Sequence, residues 1–238
     1  MKKIWITGGG SGIGRSLAQK LAQQGHQVYV SGRHLEKLNT VGCDTQAIPC
    51  DITKPKDVEN ALAQIGTLDL AILNAGTYEP GAVGTTSIDT FQAAMAVNYF
   101  GTLNCIKPLL LQMTDQGGHI AVVGSLAGYR GLPNASGYGP SKAAVISLCE
   151  SLKSEMQDTA IKIQLINPGF VKSPLTRKND FEMPYLMEPE EAADAILNGL
   201  ETDQFEIAFP SPFVRRMKML RLLPYRFFFP LIRKATAR

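Results

Sequence analysis

The stretch TGGGSGIG occupies residues 7–14 and joins an apolar run at residues 2–7 to a segment with helical periodicity. Glycines in such a turn let the backbone approach a ligand without interference from a Cβ atom. The free N–H groups and the dipole at the start of the following helix favour a phosphate group. The stretch therefore predicts a strand–turn–helix unit that binds a phosphate-containing ligand. The alternative is a glycine-rich turn with no ligand.

Apolar runs alternate with helical patterns from the glycine turn to residue 209. Predicted strands cover residues 2–7, 27–31, 45–50, 68–73, 118–123, 161–166 and 205–209. Predicted helices include a first one closed by Gly25 and others at residues 34–39, 55–65, 88–113, 138–157 and 188–200. Continuous apolar runs indicate strands that are covered on both faces, as in a parallel sheet. The pattern predicts an α/β fold of one domain with a doubly wound, Rossmann-type parallel sheet, whose ligands bind at the carboxyl ends of the strands.

Composition limits the class of protein. The longest apolar stretches fall short of the roughly 18 residues that a membrane-spanning helix needs, and the apolar start of the chain stops at Gly8, so no signal peptide is expected. The cysteines Cys43, Cys50, Cys105 and Cys149 show no CxxC spacing. We therefore expect no metal site and no disulfide, four small buried cysteines, and a cytoplasmic location.

Charge divides the chain unevenly. Residues 207–238 hold eight basic residues and no acidic ones, whereas the rest of the chain has a net charge of −5. We expect a catalytic domain at residues 1–209 and a basic, apolar extension at residues 210–238, which Pro224 and Pro230 divide into short helices. A membrane surface and a neighbouring subunit are the alternative partners of this extension. No recognition motif accompanies the charge, so nucleic acid is not expected.

Further motifs follow the glycine turn in chain order. Asn74-Ala75-Gly76 ends the fourth predicted strand, Ser125 ends the fifth, Tyr138-xxx-Lys142 opens the next helix, and Pro168-Gly169 follows the sixth strand. With the TGxxxGxG spacing of the glycine turn, these motifs resemble those of the short-chain dehydrogenase/reductase family. The resemblance extends over about residues 2–209. It implies a nicotinamide-dependent oxidoreductase that assembles as a homodimer or homotetramer.

The resemblance also implies which residues contact the dinucleotide. Asp51 and Ile52 follow the third strand, where the family contacts adenine, and Ser173 replaces a threonine of the family that faces the nicotinamide carboxamide. The implied cofactor-binding residues are Gly8, Ser11, Gly12, Ile13, Gly14, Arg33, Asp51, Ile52, Asn74, Ala75, Gly76, Tyr138, Lys142, Pro168, Gly169, Val171 and Ser173.

The end of the second strand predicts NADP rather than NAD. A carboxylate there binds the ribose 2′-hydroxyl in NAD enzymes, but this chain has Ser31-Gly32-Arg33. A guanidinium can pair with the 2′-phosphate through two N–H groups. Ser11 occupies a place where a basic residue would strengthen this prediction, and Arg15 is an alternative partner for the phosphate.

Tyr138 and Lys142 are four residues apart, so a helix places both on one face. Reduction of a carbonyl needs a hydride from nicotinamide and a proton from the protein. An ordinary tyrosine has a pKa of about 10, and a nearby ammonium would bring it closer to neutrality. The resemblance gives Lys142 that role and a contact with the nicotinamide ribose, gives Ser125 a hydrogen bond to the substrate oxygen, and makes Asn98 the support of a water chain to Lys142. The alternative is a non-catalytic NADP-binding regulatory protein of the same fold.

The substrate lid of the family corresponds to about residues 174–187. It contains Phe181, Met183, Pro184, Tyr185, Leu186 and Met187. Such a lid suits an apolar or amphipathic small-molecule carbonyl or alcohol. Alternatively, these residues only pack the lid onto the body of the protein.

Overall fold

Seven parallel strands form one sheet in the computed structural model, which describes residues 1–236. The strands are β1 Lys3–Thr7, β2 Gln27–Gly32, β3 Gln46–Pro49, β4 Leu70–Leu73, β5 Gly118–Val123, β6 Ile161–Pro168 and β7 Glu206–Phe209. Their order in the sheet is β3-β2-β1-β4-β5-β6-β7. The chain moves outward from β1 to β3 and then returns past β1 to β4. A ligand cleft is expected at this switch, between the carboxyl ends of β1 and β4.

Helices cover both faces of the sheet. They are α1 Gly12–Gln23, α2 Leu35–Asn39, α3 Pro55–Ile65, α4 Ile88–Met95, α5 Thr102–Met113, α6 Tyr138–Glu155, α7 Pro189–Leu200, α8 Ser211–Leu222 and α9 Tyr225–Thr236. Within β1, Ile4 and Ile6 face the core that α1 and α7 complete, whereas Trp5 faces the core on the side of α3, α5 and α6. Both faces of the strand are therefore apolar, which confirms the doubly wound sheet predicted from the continuous runs.

The predicted strands and helices are present, with ends that differ by no more than two residues from those observed. The one internal difference lies in the long helix predicted at residues 88–113. A π-helical turn, Ala96–Gly101, separates α4 from α5. The hydrogen bonds of a π-helical turn join residues five apart, whereas those of an α-helix join residues four apart, so the turn contains one extra residue. The prediction of an uninterrupted helix is wrong here, because one extra residue barely changes the hydrophobic period.

Helix α8 packs into the main body. Val214 and Met217 are buried in the same core as Leu126 and Tyr129, so the segment expected as an extension begins with a helix that belongs to the body. Pro224 separates α8 from α9 as predicted, but Pro230 lies inside α9, so that part of the prediction is wrong. Proline removes one helical hydrogen bond, and the carbonyl it leaves free belongs to the exposed Arg226, which water can reach. Arg238, the last of the eight basic residues, lies outside the described residues.

The cysteines are free thiols, and Cys50, Cys105 and Cys149 are buried as expected. Cys43 is exposed, so the expectation is wrong for this residue. It lies in the turn after α2 with a φ of 57°, at the surface. None of the helices within residues 1–236 is long and apolar enough to cross a membrane.

Candidate active site

The glycine turn is held against the end of β4. Gly8 and Gly12 have φ values of +67° and +52°, which favour glycine. The Asn74 side chain donates from Nδ2 to the carbonyl oxygens of Thr7 and Gly8, both at 3.1 Å. A Cβ atom on Gly14 would lie only 2.4 Å from the Gly8 oxygen. The turn therefore fixes the position of the first N–H groups of α1. Among the described residues, the Ser11 side chain accepts no hydrogen bond from these N–H groups.

A cavity of about 710 Å³ lies between this turn, the carboxyl ends of the central strands and the lid. It brings together most of the residues predicted from the sequence. These are Gly8, Ser11, Gly12, Ile13, Asn74, Ala75, Gly76, Ser125, Tyr138, Lys142, Pro168, Gly169, Val171 and Ser173. The cavity thus extends from the predicted phosphate site to the predicted catalytic group.

Five predicted residues do not line the cavity: Gly14, Arg33, Asp51, Ile52 and Asn98. Ile52 is buried in the core. The Asp51 carboxylate accepts hydrogen bonds from the Thr53 amide at 3.0 Å and its hydroxyl at 2.7 Å. Burial alone would raise the pKa of Asp51, but these bonds and the nearby charge of Arg33 hold it below its ordinary value. Arg33 itself is exposed at the end of β2.

Helix α6 places Tyr138 in its first turn and Lys142 one turn later. The Lys142 ammonium lies 5.8 Å from the centre of the Tyr138 ring and donates to the Val123 carbonyl at 2.7 Å. Ser125 follows β5, and its hydroxyl accepts from the Ala127 amide at 3.1 Å. A strand end and a helix start therefore present the three side chains to one end of the cavity.

Burial controls the protonation of these groups. It raises the pKa of Tyr138 to about 12, although a hydrogen bond with Ser125 acts in the opposite direction. It also lowers the pKa of Lys142 to about 8. Desolvation is the largest effect on Tyr138, so its pKa is raised rather than brought towards neutrality. The effect of the Lys142 ammonium on the tyrosine stays a prediction. At neutral pH Tyr138 is a phenol with a proton to donate.

Asn98 lies in the π-helical turn and is fully buried. Its Oδ1 accepts from the Thr77 amide at 2.8 Å, and its Nδ2 donates to the Thr77 carbonyl at 3.0 Å and to the Ser141 hydroxyl at 2.9 Å. A Cβ atom on Gly76 would lie 3.2 Å from Asn98 Oδ1 and 3.7 Å from Lys142 Nζ. Asn98 thus fixes the loop after β4 beside Lys142, as a positioning residue. Its role in a water chain stays a prediction.

The lid is tied to the loop after β4. The Tyr78 hydroxyl donates to Asn179 Oδ1 at 2.6 Å, and the Lys178 ammonium contacts the Tyr78 carbonyl at 3.1 Å and the Glu79 carboxylate. The Tyr78 ring also meets the Tyr138 ring edge to face, with centres 5.0 Å apart. The sequence analysis did not predict Tyr78 as a site residue, because a single tyrosine forms no motif with a defined spacing. Its position two residues after Asn74-Ala75-Gly76 could have indicated that it lies near the site.

Part of the cavity wall is aromatic. Phe170 stacks on Phe213 with centres 5.5 Å apart and meets Phe181 of the lid edge to face at 5.8 Å. Phe213 and Met217 come from α8 and line the cavity. They were missed because residues 210–238 were expected to lie apart from the catalytic domain.

Comparisons with known proteins show the family to which the chain belongs. The family model described as short chain dehydrogenase matches residues 2–183. A relative from Myxococcus xanthus called an uncharacterized oxidoreductase is 33% identical over 231 residues, which cover 92% of this chain and 91% of the relative. Another from Staphylococcus aureus strain MRSA252, also called an uncharacterized oxidoreductase, is 30% identical, with 82% of this chain and 89% of the relative covered.

Solved structures are similar over almost the whole chain. A short chain dehydrogenase from Burkholderia cenocepacia in complex with NADP has a TM-score of 0.86 and 25% identity, covering 99% of this chain and 97% of that one. A short-chain dehydrogenase from Sphingobium yanoikuyae in complex with NADPH has a TM-score of 0.82 and covers 94% and 97%. At 22% identity, the second similarity concerns the fold alone.

Proposed function

The chain belongs to the short-chain dehydrogenase family, and we propose that it is an NADP(H)-dependent oxidoreductase that interconverts a carbonyl group and an alcohol. One observation carries the proposal: Ser125, Tyr138 and Lys142 meet at one end of a cavity whose other end is the glycine turn. A non-catalytic nucleotide-binding protein would not need this complete proton-transfer group. The glycine turn offers a cradle for a pyrophosphate, since Gly8 and Gly12 line the cavity without a Cβ atom and the start of α1 follows directly.

The chemistry of each residue follows from its environment. When bound, the reduced nicotinamide supplies the hydride. Tyr138, protonated at neutral pH because burial raises its pKa to about 12, donates its hydroxyl proton to the carbonyl oxygen. Ser125 hydrogen-bonds the same oxygen and stabilises the charge that develops on it. Lys142, whose pKa burial lowers to about 8, exchanges protons easily near neutrality, and its assigned role is to restore the Tyr138 proton.

Preference for NADP(H) is supported by the relative from Burkholderia cenocepacia, which binds NADP, and by the end of β2. The Arg33 side chain is exposed there and forms no hydrogen bond or ion pair among residues 1–236, so its guanidinium is available to a phosphate. Arg15, the alternative partner, already donates to the Thr40 carbonyl at 2.6 Å. We therefore assign recognition of the 2′-phosphate to Arg33.

Replacing Arg33 with Asp should reverse the cofactor preference. The carboxylate repels a 2′-phosphate and accepts hydrogen bonds from two ribose hydroxyls instead. We expect the ratio of kcat/KM for NADPH to that for NADH to fall by about a hundredfold, the effect of losing one bidentate charged contact and gaining a repulsion. Arg15→Ala is the matched control and should leave the ratio within a few fold. An unchanged ratio in Arg33→Asp would contradict the assignment.

The aromatic part of the cavity wall supports an apolar substituent on the carbonyl substrate. Consumption of NADPH should be measured against a panel of aldehydes, ketones and 3-oxoacyl esters that differ in chain length. We expect kcat/KM to rise with the apolar surface that Phe170, Phe181 and Phe213 can cover. If no carbonyl in the panel is reduced and NADPH nevertheless binds, the oxidoreductase proposal fails.

We also propose that the chain forms a homodimer or homotetramer. Phe100, in the π-helical turn, and Leu111, on α5, are 54% and 80% exposed, and contact with a second subunit would cover them. Leu111→Glu should halve the mass seen by light scattering, because burying an unpaired carboxylate is unfavourable. Met219→Glu, which alters an exposed apolar residue of α8, is the control and should keep the wild-type mass. A monomeric wild-type protein would contradict the proposal.

A further inference from the structure

Helices α8 and α9 present a surface that is both apolar and basic, here called the tail surface. Its apolar members are 47% to 84% exposed, and they are Met219, Leu222, Tyr225, Phe227, Phe229 and Leu231. Its basic members are Arg215, Arg216, Lys218, Arg221, Arg226, Arg233 and Lys234. Single exposed apolar side chains are common on proteins, but a group of this size marks an interaction site.

The helices are fixed in place from their inner side. Val214 and Met217 anchor α8 in the core, and Phe228 of α9 is buried as well. The Arg130 guanidinium packs on the rings of Tyr225 and Phe228 at 4.5 and 4.4 Å from their centres. It also donates to the Arg221 and Leu223 carbonyls at 2.9 and 3.1 Å. The tail surface is therefore held facing outward.

Charge decides what this surface binds. The chain before residue 207 has a net charge of −5, and no acidic residue follows. Lys218 pairs with Glu206, and Arg221 lies 4.0 Å from Glu150. Within residues 1–236 no ion pair involves Arg215, Arg226, Arg233 or Lys234, so these charges face solvent without neutralisation.

A second copy is a poor occupant for such a surface. Two tail surfaces placed face to face would bring their unneutralised cations together, and like charges at a desolvated interface are unfavourable. An anionic lipid surface satisfies both properties at once, since apolar side chains enter the boundary of the acyl chains while basic ones stay at the phosphates. We propose that the tail surface docks the protein on an anionic membrane surface.

Helix α8 links this surface to the catalytic cavity. One side of the helix presents Phe213 and Met217 to the cavity, and the opposite side presents Arg215, Met219 and Leu222 to solvent. On a docked protein, the part of the cavity wall that Phe213 and Met217 form lies one helix diameter, about 10 Å, from the lipid. If the proposed function holds, carbonyl substrates with an apolar group dissolved in the membrane are within reach.

The test is co-sedimentation of the full-length protein with vesicles of phosphatidylcholine containing about one third phosphatidylglycerol, at about 0.1 M salt. We expect binding to these vesicles and at least tenfold weaker partitioning onto pure phosphatidylcholine. Arg233→Gln/Lys234→Gln should lower the partition coefficient by tenfold or more. Lys107→Gln/Lys153→Gln removes the same charge from exposed positions on the body and is the matched control.

A second pair of variants examines the apolar contribution independently. Phe227→Ser/Leu231→Ser should lower partitioning by tenfold or more, whereas Val83→Ser, at an exposed apolar position of the body, should not. Circular dichroism and the melting temperature show whether the variants remain folded. Point changes are preferable to truncation after Phe209, which would remove Val214 and Met217 from the core.

Three results would overturn the proposal. The first is a wild-type protein that does not bind anionic vesicles. The second is a loss of binding in the body variants as large as that in the tail variants. The third is a lower particle mass of the tail variants in light scattering without vesicles, which would assign the surface to a second copy. Vesicle binding requires no turnover. A negative result therefore leaves the proposed oxidoreductase activity untouched, and an inactive protein can still bind vesicles.

Discussion

Tyr138→Phe should lower kcat by about a thousandfold or more and leave the dissociation constant for NADPH almost unchanged. The hydroxyl is the proton donor, and general acid catalysis contributes roughly 10²–10⁴-fold in rate. The ring, by contrast, packs edge to face against Tyr78 with centres 5.0 Å apart, and phenylalanine preserves that contact. The variant should therefore fold and bind cofactor normally. Single-turnover consumption of NADPH measures the chemical step, and fluorescence titration measures binding.

Tyr185→Phe is the matched control for this change. Tyr185 lies in the lid and stacks on Phe213 with centres 6.1 Å apart, so the variant keeps its ring contact and loses only a hydroxyl. Its kcat should stay within a few fold of wild type. If Tyr138→Phe also remains within a few fold, Tyr138 does not supply the proton, and another group must reach the carbonyl oxygen.

Lys142→Met should abolish turnover and weaken NADPH binding, yet make the folded protein more stable at pH 7. Lys142 is 3% exposed, and burial lowers its pKa from 10.5 to about 8. A lowered folded-state pKa means that the buried charge destabilises the protein, by roughly 3 kcal/mol at neutral pH. Losing the 2.7 Å hydrogen bond from the charged Lys142 to Val123 costs about 1.5–2 kcal/mol in return, which is less than the gain. The melting temperature should therefore rise by several degrees.

The pH dependence of the stability gained in Lys142→Met shows whether the buried charge of Lys142 is its cause. Both the folded and the unfolded wild-type protein carry the Lys142 proton below pH 8, so the full destabilisation is present there. It disappears as the pH rises from about 8 to 10.5, because the folded protein releases the proton first. The stability advantage of Lys142→Met should shrink across this window. Lys153→Met, exposed on the same helix, is the control. A variant less stable than wild type at pH 7 would contradict the buried-charge interpretation.

Most of the fold was predictable because its signals are local. Continuous apolar runs mark strands that are buried on both faces, and glycine positions mark the turn at the first helix. The catalytic candidates stand at strand ends or helix starts, and parallel strands bring such positions to one edge of the sheet. Ser125 and Tyr138 thus meet across 13 residues of chain without any signal beyond their place in the pattern.

The features that were not predictable depend on long-range packing. Phe213 and Met217 reach the cavity because α8 folds back onto the sheet. The basic composition of residues 210–238 instead indicated a segment outside the catalytic domain. The contact of Tyr78 with Asn179 spans 101 residues. The direction of the Tyr138 pKa shift depends on how much water the finished cavity excludes, which no residue pattern reports.

The π-helical turn at Ala96–Gly101 has a consequence for how this chain tolerates insertions and deletions. An α-helix has 3.6 residues per turn, so losing one residue from the first turn of α5 would rotate the rest by about 100° and move Ile106 and Leu109 out of the core. Losing one residue inside the π-helical turn would instead restore a regular helix and keep both buried. That deletion would displace Asn98 from Thr77 and Ser141. A relative that lacks one residue of this turn would therefore still fold. It would have lost the hydrogen bonds by which Asn98 holds the loop beside Lys142.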